Sequence, residues 1–469
     1  MQCNSLKRNK YYLLLWLLIL FISIVLRFWN LDDIPGPVFD EVYFPQYGYD
    51  YIVGKEFFHV HPPLANYIFA GSIWVYYHLP WTNSQEISSI PYDQLAAMSY
   101  RWINACFGVI LTIVAWLTAY CISRQKWFAL IVFILMVIDG SLLVDSRHGM
   151  NNIYLVLFGL LTITFAALSI NAIEKAKKHQ WLLLCGIFLG LTVCVKWNGL
   201  GYFLCILAFI ILYKLMVITD IYRPVANSFQ ISRNQSPTNI SIWDIVVYFI
   251  VIPIVVYCLL WVPDRIFNTE YSFLEIHKQI LNYHKDLVGS DEHPYCSKWY
   301  TWPFMIRPVG YSFSTESIVN SVGEKITYYK DVHLFPNPAI TWASVIAILV
   351  MIIDWIVRTR NWFLKGISTK TYAIITFLLL AYFANFLPWA FVKRCLFLYH
   401  YQSAATIGIF ILAWYLTKCL LSQYVALKLI AISAFTLILL SFIYWLPFQL
   451  GIPLEQSAFY NRMWFNSWI

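Results

Sequence analysis

Apolar runs of roughly 17 to 22 residues recur along this whole chain, parted by short polar turns, and a water-soluble core has no place for so many. A helix rises about 1.5 Å per residue, so each run can cross a hydrocarbon layer about 30 Å thick. The pattern predicts about eleven spans, near 11–29, 100–121, 127–144, 151–171, 180–196, 199–219, 242–262, 338–357, 371–391, 397–418 and 426–447. Only 12% of the 469 residues are charged, about half the share of a soluble chain. The 21 Trp, 33 Tyr and 34 Phe suit the two membrane interfaces, where amphipathic rings collect. The expected fold is an all-α integral membrane protein, a polytopic helical bundle surrounded by membrane lipid.

Lys7, Arg8 and Lys10 precede the first run, as in a signal sequence. No small-residue cleavage site follows, and the run is long enough to span, so it reads as a retained first helix. With the N-terminus inside, the short inside segments collect most cations, Arg124, Lys126, Lys175, Lys177, Lys178, Arg358 and Arg360 among them. Short outside links hold only Arg147, Lys196, Lys393 and Arg394, and that asymmetry sets the orientation. The net charge of +8 therefore follows membrane topology and does not point to nucleic acid.

An odd number of spans leaves the C-terminal segment outside. Two long outside segments, about 30–99 and 263–337, divide the chain into an N-terminal transmembrane catalytic module (1–262), an extracytoplasmic loop (263–337) and a C-terminal transmembrane module (338–469). The sequons at Asn234 and Asn239 fall on an inside loop, the wrong side for glycosylation. The ten Cys lie mostly in apolar runs, show no metal or redox spacing, and read as small core residues.

On this topology the polar clusters gather on the outside: Asp40-Glu41, "HVHPP" at 59–63, "DSRHGMNN" at 145–152, "KWNG" at 196–199, "HPYCSKWYTWPFMIRPVGYSF" at 293–313 and "VKRCLFLYHY" at 392–401. Every His except His179 lies on that side. One shared cavity explains this sorting, and ionisable groups at span ends are functional candidates.

Each group also has a plainer account. Asp40 and Glu41 are either solvated carboxylates at a helix end or a general base and its partner for a hydroxyl acceptor. Arg147 and the Lys393-Arg394 pair are either snorkelling cations or phosphate contacts, a role to which the planar guanidinium is well matched. Lys196 sits in a short turn that could explain it alone. His59 and His61 belong to a turn stiffened by Pro62-Pro63, and no further ligands suggest a metal. His293 and Arg307, with Tyr295, Trp299, Tyr300 and Trp302, form either a sugar- or peptide-binding wall or ordinary interfacial aromatics. There is no Gly-rich phosphate loop, G-x-S-x-G elbow, H-E-x-x-H or D-x-D pair. A donor with one lipid-borne phosphate needs no metal, because one or two cations can neutralise the leaving group. No cofactor is expected.

In order, these segments resemble the protein O-mannosyltransferase family, the dolichyl- or polyprenyl-phosphate-mannose-dependent enzymes of the GT-C class. Asp40-Glu41 looks like the family's Asp-Glu motif and Phe57–Leu64 like its "FF-x-V-HPPL" element. "DSRHGM" is similar to its Ser-Arg turn and "VKWNGL" to its Lys-Trp-x-Gly-Leu. "HPYCSKWYTWPFMIRPVGY", "NPAITW" at 337–342 and "FVKRCLFLYHY" match later elements, so the likeness is collinear from about 27 to 402.

The resemblance implies inverting transfer of one mannose from a lipid monophosphate to Ser or Thr of a translocating protein. It makes Asp40 the base, Glu41 its partner at the acceptor, Arg147 a donor-phosphate or acceptor contact, and Lys393 and Arg394 donor-phosphate contacts. His61, Lys196, His293 and Arg307 follow as substrate contacts. A partner in the translocation machinery would fit that acceptor.

Two departures stand out. Asn151-Asn152 replaces the family's usual Leu-Asp, leaving an acidic position neutral. The 263–337 loop is also too short for the luminal β-trefoil domain of eukaryotic members, which suggests a bacterial type in the cytoplasmic membrane with its site outside. A GT-C transferase acting on a lipid or cell-wall glycan is the alternative enzyme. A transporter or flippase is disfavoured, because its charges would sit at mid-membrane on broken helices.

Overall fold

The computed structural model describes residues 2–80, 82, 86–221, 240–286, 293–319, 325–365 and 370–469. Asn234 and Asn239 lie outside the described residues. In chain order the helices are α1 (Gln2–Phe28), α2 (Phe44–Val53), α3 (Leu64–Tyr77), α4 (Met98–Ser123), α5 (Lys126–Val137), α6 (Gly140–Arg147), α7 (Asn152–Asn171), α8 (Lys175–Val195) and α9 (Leu200–Ile221). There follow α10 (Ile242–Val246), α11 (Ile252–Phe267), α12 (Phe273–Asp286), α13 (Pro338–Lys365), α14 (Lys370–Phe386), α15 (Gln402–Leu420), α16 (Val425–Leu450) and α17 (Gln456–Tyr460). Among the described residues, ten helical segments are long and apolar enough to cross a membrane, and a bent pair brings the count to eleven if it forms one span. The chain is a multi-pass membrane protein of the expected helical class.

That bent pair corrects the expectation of a straight helix over 127–144. α5 and α6 meet at 59°. Asp139 breaks the ladder and caps α6, its carboxylate accepting from the Leu142 amide at 3.0 Å. Gly140 is required at the joint, because a Cβ there would fall 2.1 Å from the Phe335 carbonyl oxygen. The bend turns the end of α6, with Asp145 and Arg147, under the first outside loop.

The inner helices α5, α6 and α7 are buried nearly all round, so their apolar periodicity is weak, whereas α1, α13 and α16 leave broad apolar faces exposed. The two long segments between spans, about 30–99 and 263–337, fold back over one end of the bundle. The first supplies α2 and α3; the second supplies α12 and a hairpin. That hairpin departs from the all-α expectation: β1 (Val309–Val319) pairs antiparallel with β2 (Lys325–Leu334), and β3 (Leu454–Glu455) pairs with β2.

A disulfide between Cys296 and Cys395 ties the second outside segment to the link before α15, with Cα atoms 5.3 Å apart. Cys296 and Cys395 are thus not core residues, whereas Cys121, Cys185, Cys194 and Cys205 are free and buried as expected.

Candidate active site

The two long segments and the neighbouring span ends enclose a cavity of about 500 Å³ lined by Asp40, Tyr43, Phe44, Tyr47, Val60, His61, Lys196, Tyr283, His284, His293, Pro294, Arg394, Cys395, Phe397, Tyr399 and His400. Stretches far apart in sequence meet there, and five of the expected site residues, Asp40, His61, Lys196, His293 and Arg394, are among them. The remaining four lie elsewhere.

Asp40 sits in a single helical turn, Phe39–Val42. Phe39, which precedes it, has φ of 47°, a left-handed conformation uncommon for a large side chain. The position is held by packing: the Phe39 ring stacks on Tyr311, with centroids 4.7 Å apart and planes 8° from parallel. Tyr311 in turn donates to Asp145 at 2.5 Å. Burial lifts the Asp40 carboxyl above the ordinary carboxylate range, and neighbouring Lys196 holds back part of that rise.

Lys196 caps the break between α8 and α9. Its ammonium donates to Asn152 Oδ1 at 2.8 Å and lies 5.6 Å from the Phe44 ring centroid and 5.4 Å from that of Tyr399. Burial lowers its pKa, while Asp40 and Asp145 pull the other way. Asp145 is fully buried and accepts from Asn152 at 3.0 Å, Gln402 at 2.8 Å and Tyr311. Asn152 therefore bridges the cation and a carboxylate one layer back. The acidic position that reads as neutral in the sequence has an acid seven residues earlier, on α6, beside it in space.

Glu41 lies behind the wall and does not line the cavity. Its carboxylate takes two bonds from Arg101, at 2.8 and 2.7 Å, and one each from the amides of Val38 at 2.9 Å and Gly149 at 2.8 Å. Burial alone would raise its pKa. Arg101 and these donors outweigh that effect, so the net shift is downward. Gly149 allows the approach, since a Cβ there would fall 2.5 Å from Pro45.

Arg147 is likewise structural in its contacts. Its guanidinium donates to the carbonyls of Leu26 at 2.9 Å, Trp29 at 2.7 Å and Asn30 at 3.4 Å, satisfying the open end of α1. Arg307 donates to the carbonyls of Pro294, Ser467 and Ile469 at 2.9, 2.6 and 2.7 Å. Lys393 is exposed and outside the lining.

The imidazoles of the wall are kept neutral. Burial pushes His61 well below its ordinary value, His284 down to about 4, and His293 downward too. Burial also lowers Arg394, though a guanidinium stays charged. His59 points away from the cavity. It pairs with buried Asp264 at 3.0 Å and, through its other ring nitrogen, with the His61 carbonyl, which fixes the turn that presents His61. Tyr51, Arg265 and Asn268 complete the shell around Asp264.

Sequence reasoning missed Tyr283 and His284, although the signal was available. Along α12, Ile276, His277, Ile280 and His284 recur at helical spacing, so they share the face turned toward the body of the protein. One carboxylate with raised basicity thus shares a single cavity with buried Lys196, half-buried Arg394 and neutral hydrogen-bonding rings. This pattern suits removal of a proton on one side and stabilisation of a departing phosphate on the other.

The fold is that of GT-C membrane glycosyltransferases. The solved Saccharomyces cerevisiae protein O-mannosyltransferase Pmt1-Pmt2 complex bound to the sugar donor superposes with a TM-score of 0.78, at 14% identity, over 98% of this chain and 93% of that one. ArnT from Cupriavidus metallidurans bound to undecaprenyl phosphate gives 0.53, at 11% identity, over 94% and 76%. The profile of the dolichyl-phosphate-mannose-protein mannosyltransferase family matches residues 17–266, and that of the C-terminal four-span region of protein-O-mannosyltransferase matches 269–468. The chain belongs to this family and is a glycosyltransferase. The polyprenol-phosphate-mannose–protein mannosyltransferase of Corynebacterium glutamicum is 25% identical over 97% of this chain and 93% of its own length. Its Mycobacterium tuberculosis counterpart is 22% identical over 96% and 91%.

Proposed function

We propose that this protein moves a mannosyl residue, with inversion at the anomeric carbon, from a polyprenyl or dolichyl phosphate to Ser or Thr hydroxyls of extracytoplasmic polypeptides. The observation that carries this reading is that Asp40, Lys196 and Arg394 line one cavity. Asp40 accepts the hydroxyl proton as the acceptor oxygen attacks the anomeric carbon. The bond from that carbon to the phosphate oxygen breaks on the opposite face, and the lipid phosphate leaves with the electron pair. Lys196 and Arg394 stabilise its charge, while Lys393, exposed beside Arg394, meets the anionic headgroup on arrival. His61 and His293 hydrogen-bond sugar or acceptor hydroxyls. Glu41, Arg147 and Arg307 act as positioning residues.

The first module carries the base and Lys196, and the C-terminal module carries Arg394. The cavity opens to the extracytoplasmic side of a bacterial cytoplasmic membrane, with the N-terminus inside and the C-terminus outside. The distribution of Lys and Arg favours this orientation. The Cys296–Cys395 pair fits an oxidising compartment, and the relatives of similar length are bacterial. A partner in the translocation machinery would deliver the acceptor unfolded.

The reading is tested with membranes containing the protein, polyprenyl-phosphate-[radiolabelled] mannose and a Ser/Thr-rich peptide. Label on the peptide, released by mild alkali, is expected. Label in a lipid or glycan fraction would reassign the acceptor, and no transfer from well-folded protein would overturn the donor assignment.

A further inference from the structure

The two edges of the small sheet differ: β2's is covered at two residues by β3 and buried over its last four, while β1's is exposed along most of its length. The strand order is β1-β2-β3, so the outer edge of β2 is capped where Tyr328 and Tyr329 pair with Glu455 and Leu454. Among the described residues, no strand covers the outer edge of β1. That strand reads "VGYSFSTESIV", and its residues from Phe313 outward are exposed, with Phe313, Ile318 and Val319 at 57%, 51% and 66%. Natural edge strands are usually blunted by Lys, Pro or an inward charge, because open main-chain groups invite pairing. β1 has no Pro and a single charge, Glu316. The outer edge of β1, exposed from Phe313 onward and little blunted, is thus a surface open to main-chain pairing.

The strand also leads to the candidate base. Its buried inner part includes Tyr311, which donates to Asp145 and stacks on Phe39, the residue before Asp40. An irregularity in register between Gly310 and Ser312 marks the point where β1 passes from the buried site into water. At about 3.3 Å per residue, eight residues from Tyr311 to Val319 make a track of roughly 26 Å ending beside the cavity.

We infer that β1 binds the acceptor polypeptide by strand addition: an extended segment pairs with the open edge of β1 and is thereby guided so that a Ser or Thr at its inner end meets Asp40. This rests on the mannosyl-transfer reading and deepens it. Main-chain pairing takes its affinity from amides and carbonyls, so it accepts any unfolded sequence. An enzyme that modifies hydroxyls in many sequence contexts needs that tolerance. It also explains a preference for unfolded acceptors, since a residue already paired in a sheet has no free edge to offer.

The test uses one Thr-containing peptide and a set of versions with a single backbone N-methyl group at successive positions. A methylated amide cannot donate and clashes with the partner strand. Strand addition predicts a period of two on one side of the Thr: alternate positions raise KM about tenfold, consistent with the loss of a hydrogen bond, and intervening ones have little effect. In parallel, Ser314→Cys and Ser317→Cys are probed with peptides carrying one Cys. The peptide position that cross-links best should shift by three residues between the two variants. A flat N-methyl scan with full activity on the parent peptide would overturn strand addition and leave mannosyl transfer standing. A parent peptide that accepts no mannose would sink both.

Discussion

Asp40 and Glu41 are neighbours in sequence and opposites in setting. Glu41 belongs to a packed pillar behind the cavity, where Arg101, Val38, Gly149 and the Tyr92 hydroxyl, which donates to its main-chain carbonyl, satisfy it completely. Asp40 belongs to the wall, where it faces Lys196 and open volume. Both carboxyls feel burial, which disfavours charge. An ion pair reverses that effect for Glu41 and only moderates it for Asp40. The contrast teaches how a membrane enzyme can use a pair of acids: one is given up to charge-assisted bonds that hold the turn, so the other can remain basic and exposed to substrate.

The sharpest way to break this comparison is to remove each charge in turn. Asp40→Asn keeps the shape of the wall and removes the proposed base. Transfer to peptide is expected to fall by at least about a hundredfold, the low end for general-base catalysis, with folding intact. Glu41→Gln should do the reverse in kind. It unbalances a fully buried ion pair and leaves Arg101 without its counter-charge, at a cost of about 3–5 kcal/mol of stability. Thermal unfolding in detergent should separate the two variants, and a stable Glu41→Gln protein with lost activity would move Glu41 onto the wall as a reacting group. Because Glu41 titrates below its ordinary value in the folded protein, the pair stabilises at pH above the ordinary glutamate range. That stability is lost as pH falls through the lowered value.

Lys196 sharpens the comparison from the other side. Lys196→Met removes a proposed phosphate contact and the charge that restrains the rise of Asp40. The rate should drop by about ten- to a hundredfold through loss of leaving-group stabilisation. The acid limb of kcat/KM reports the ionisation of Asp40, so in the native enzyme it should lie above the ordinary carboxylate range, with activity rising as pH rises through it. In Lys196→Met that limb should move to still higher pH. A limb that stays in place would mean that Asp40 does not feel Lys196. Exchanging Asp145→Asn with Asn152→Asp probes the same circuit: each change alone disturbs the bridge to Lys196, and together they should restore part of the rate.

The contrast also shows where a sequence is legible. The spans could be read because their signal is a local run of apolar residues. The polar clusters could be sorted to one side because charge asymmetry is also local. What separates Glu41 from Asp40 is not local: its partner Arg101 lies 60 residues on, inside a span, and nothing in the motif shows which acid will meet it. The same holds for the expectation that Arg147 contacts phosphate. A cation at a span end looks the same whether it faces a ligand or the carbonyls of a distant helix. The bend at Asp139 was hidden because α5 is apolar all round and α6 is buried on every side, leaving no periodicity to interrupt. The hairpin was hidden because its strands lie in a mixed aromatic loop, where alternation competes with interfacial composition.

The disulfide sets the smallest expected effect and tests how the wall is held. Cys395 follows Arg394, and Cys296 is near His293, so the bond joins the two segments that bring those side chains to one cavity. The pillar has no such covalent link, since buried ion pairing and packing hold it. Cys296→Ser with Cys395→Ser should therefore loosen the wall and spare the pillar. KM for the lipid donor should rise by about two- to tenfold as Arg394 loses its fixed position, while kcat and the acid limb set by Asp40 should change little. A fall in kcat equal to that in kcat/KM would show that the bond also orders the Asp40 turn. The two regions would then be one mechanical unit, and the division of labour between the adjacent acids would have to rest on charge alone.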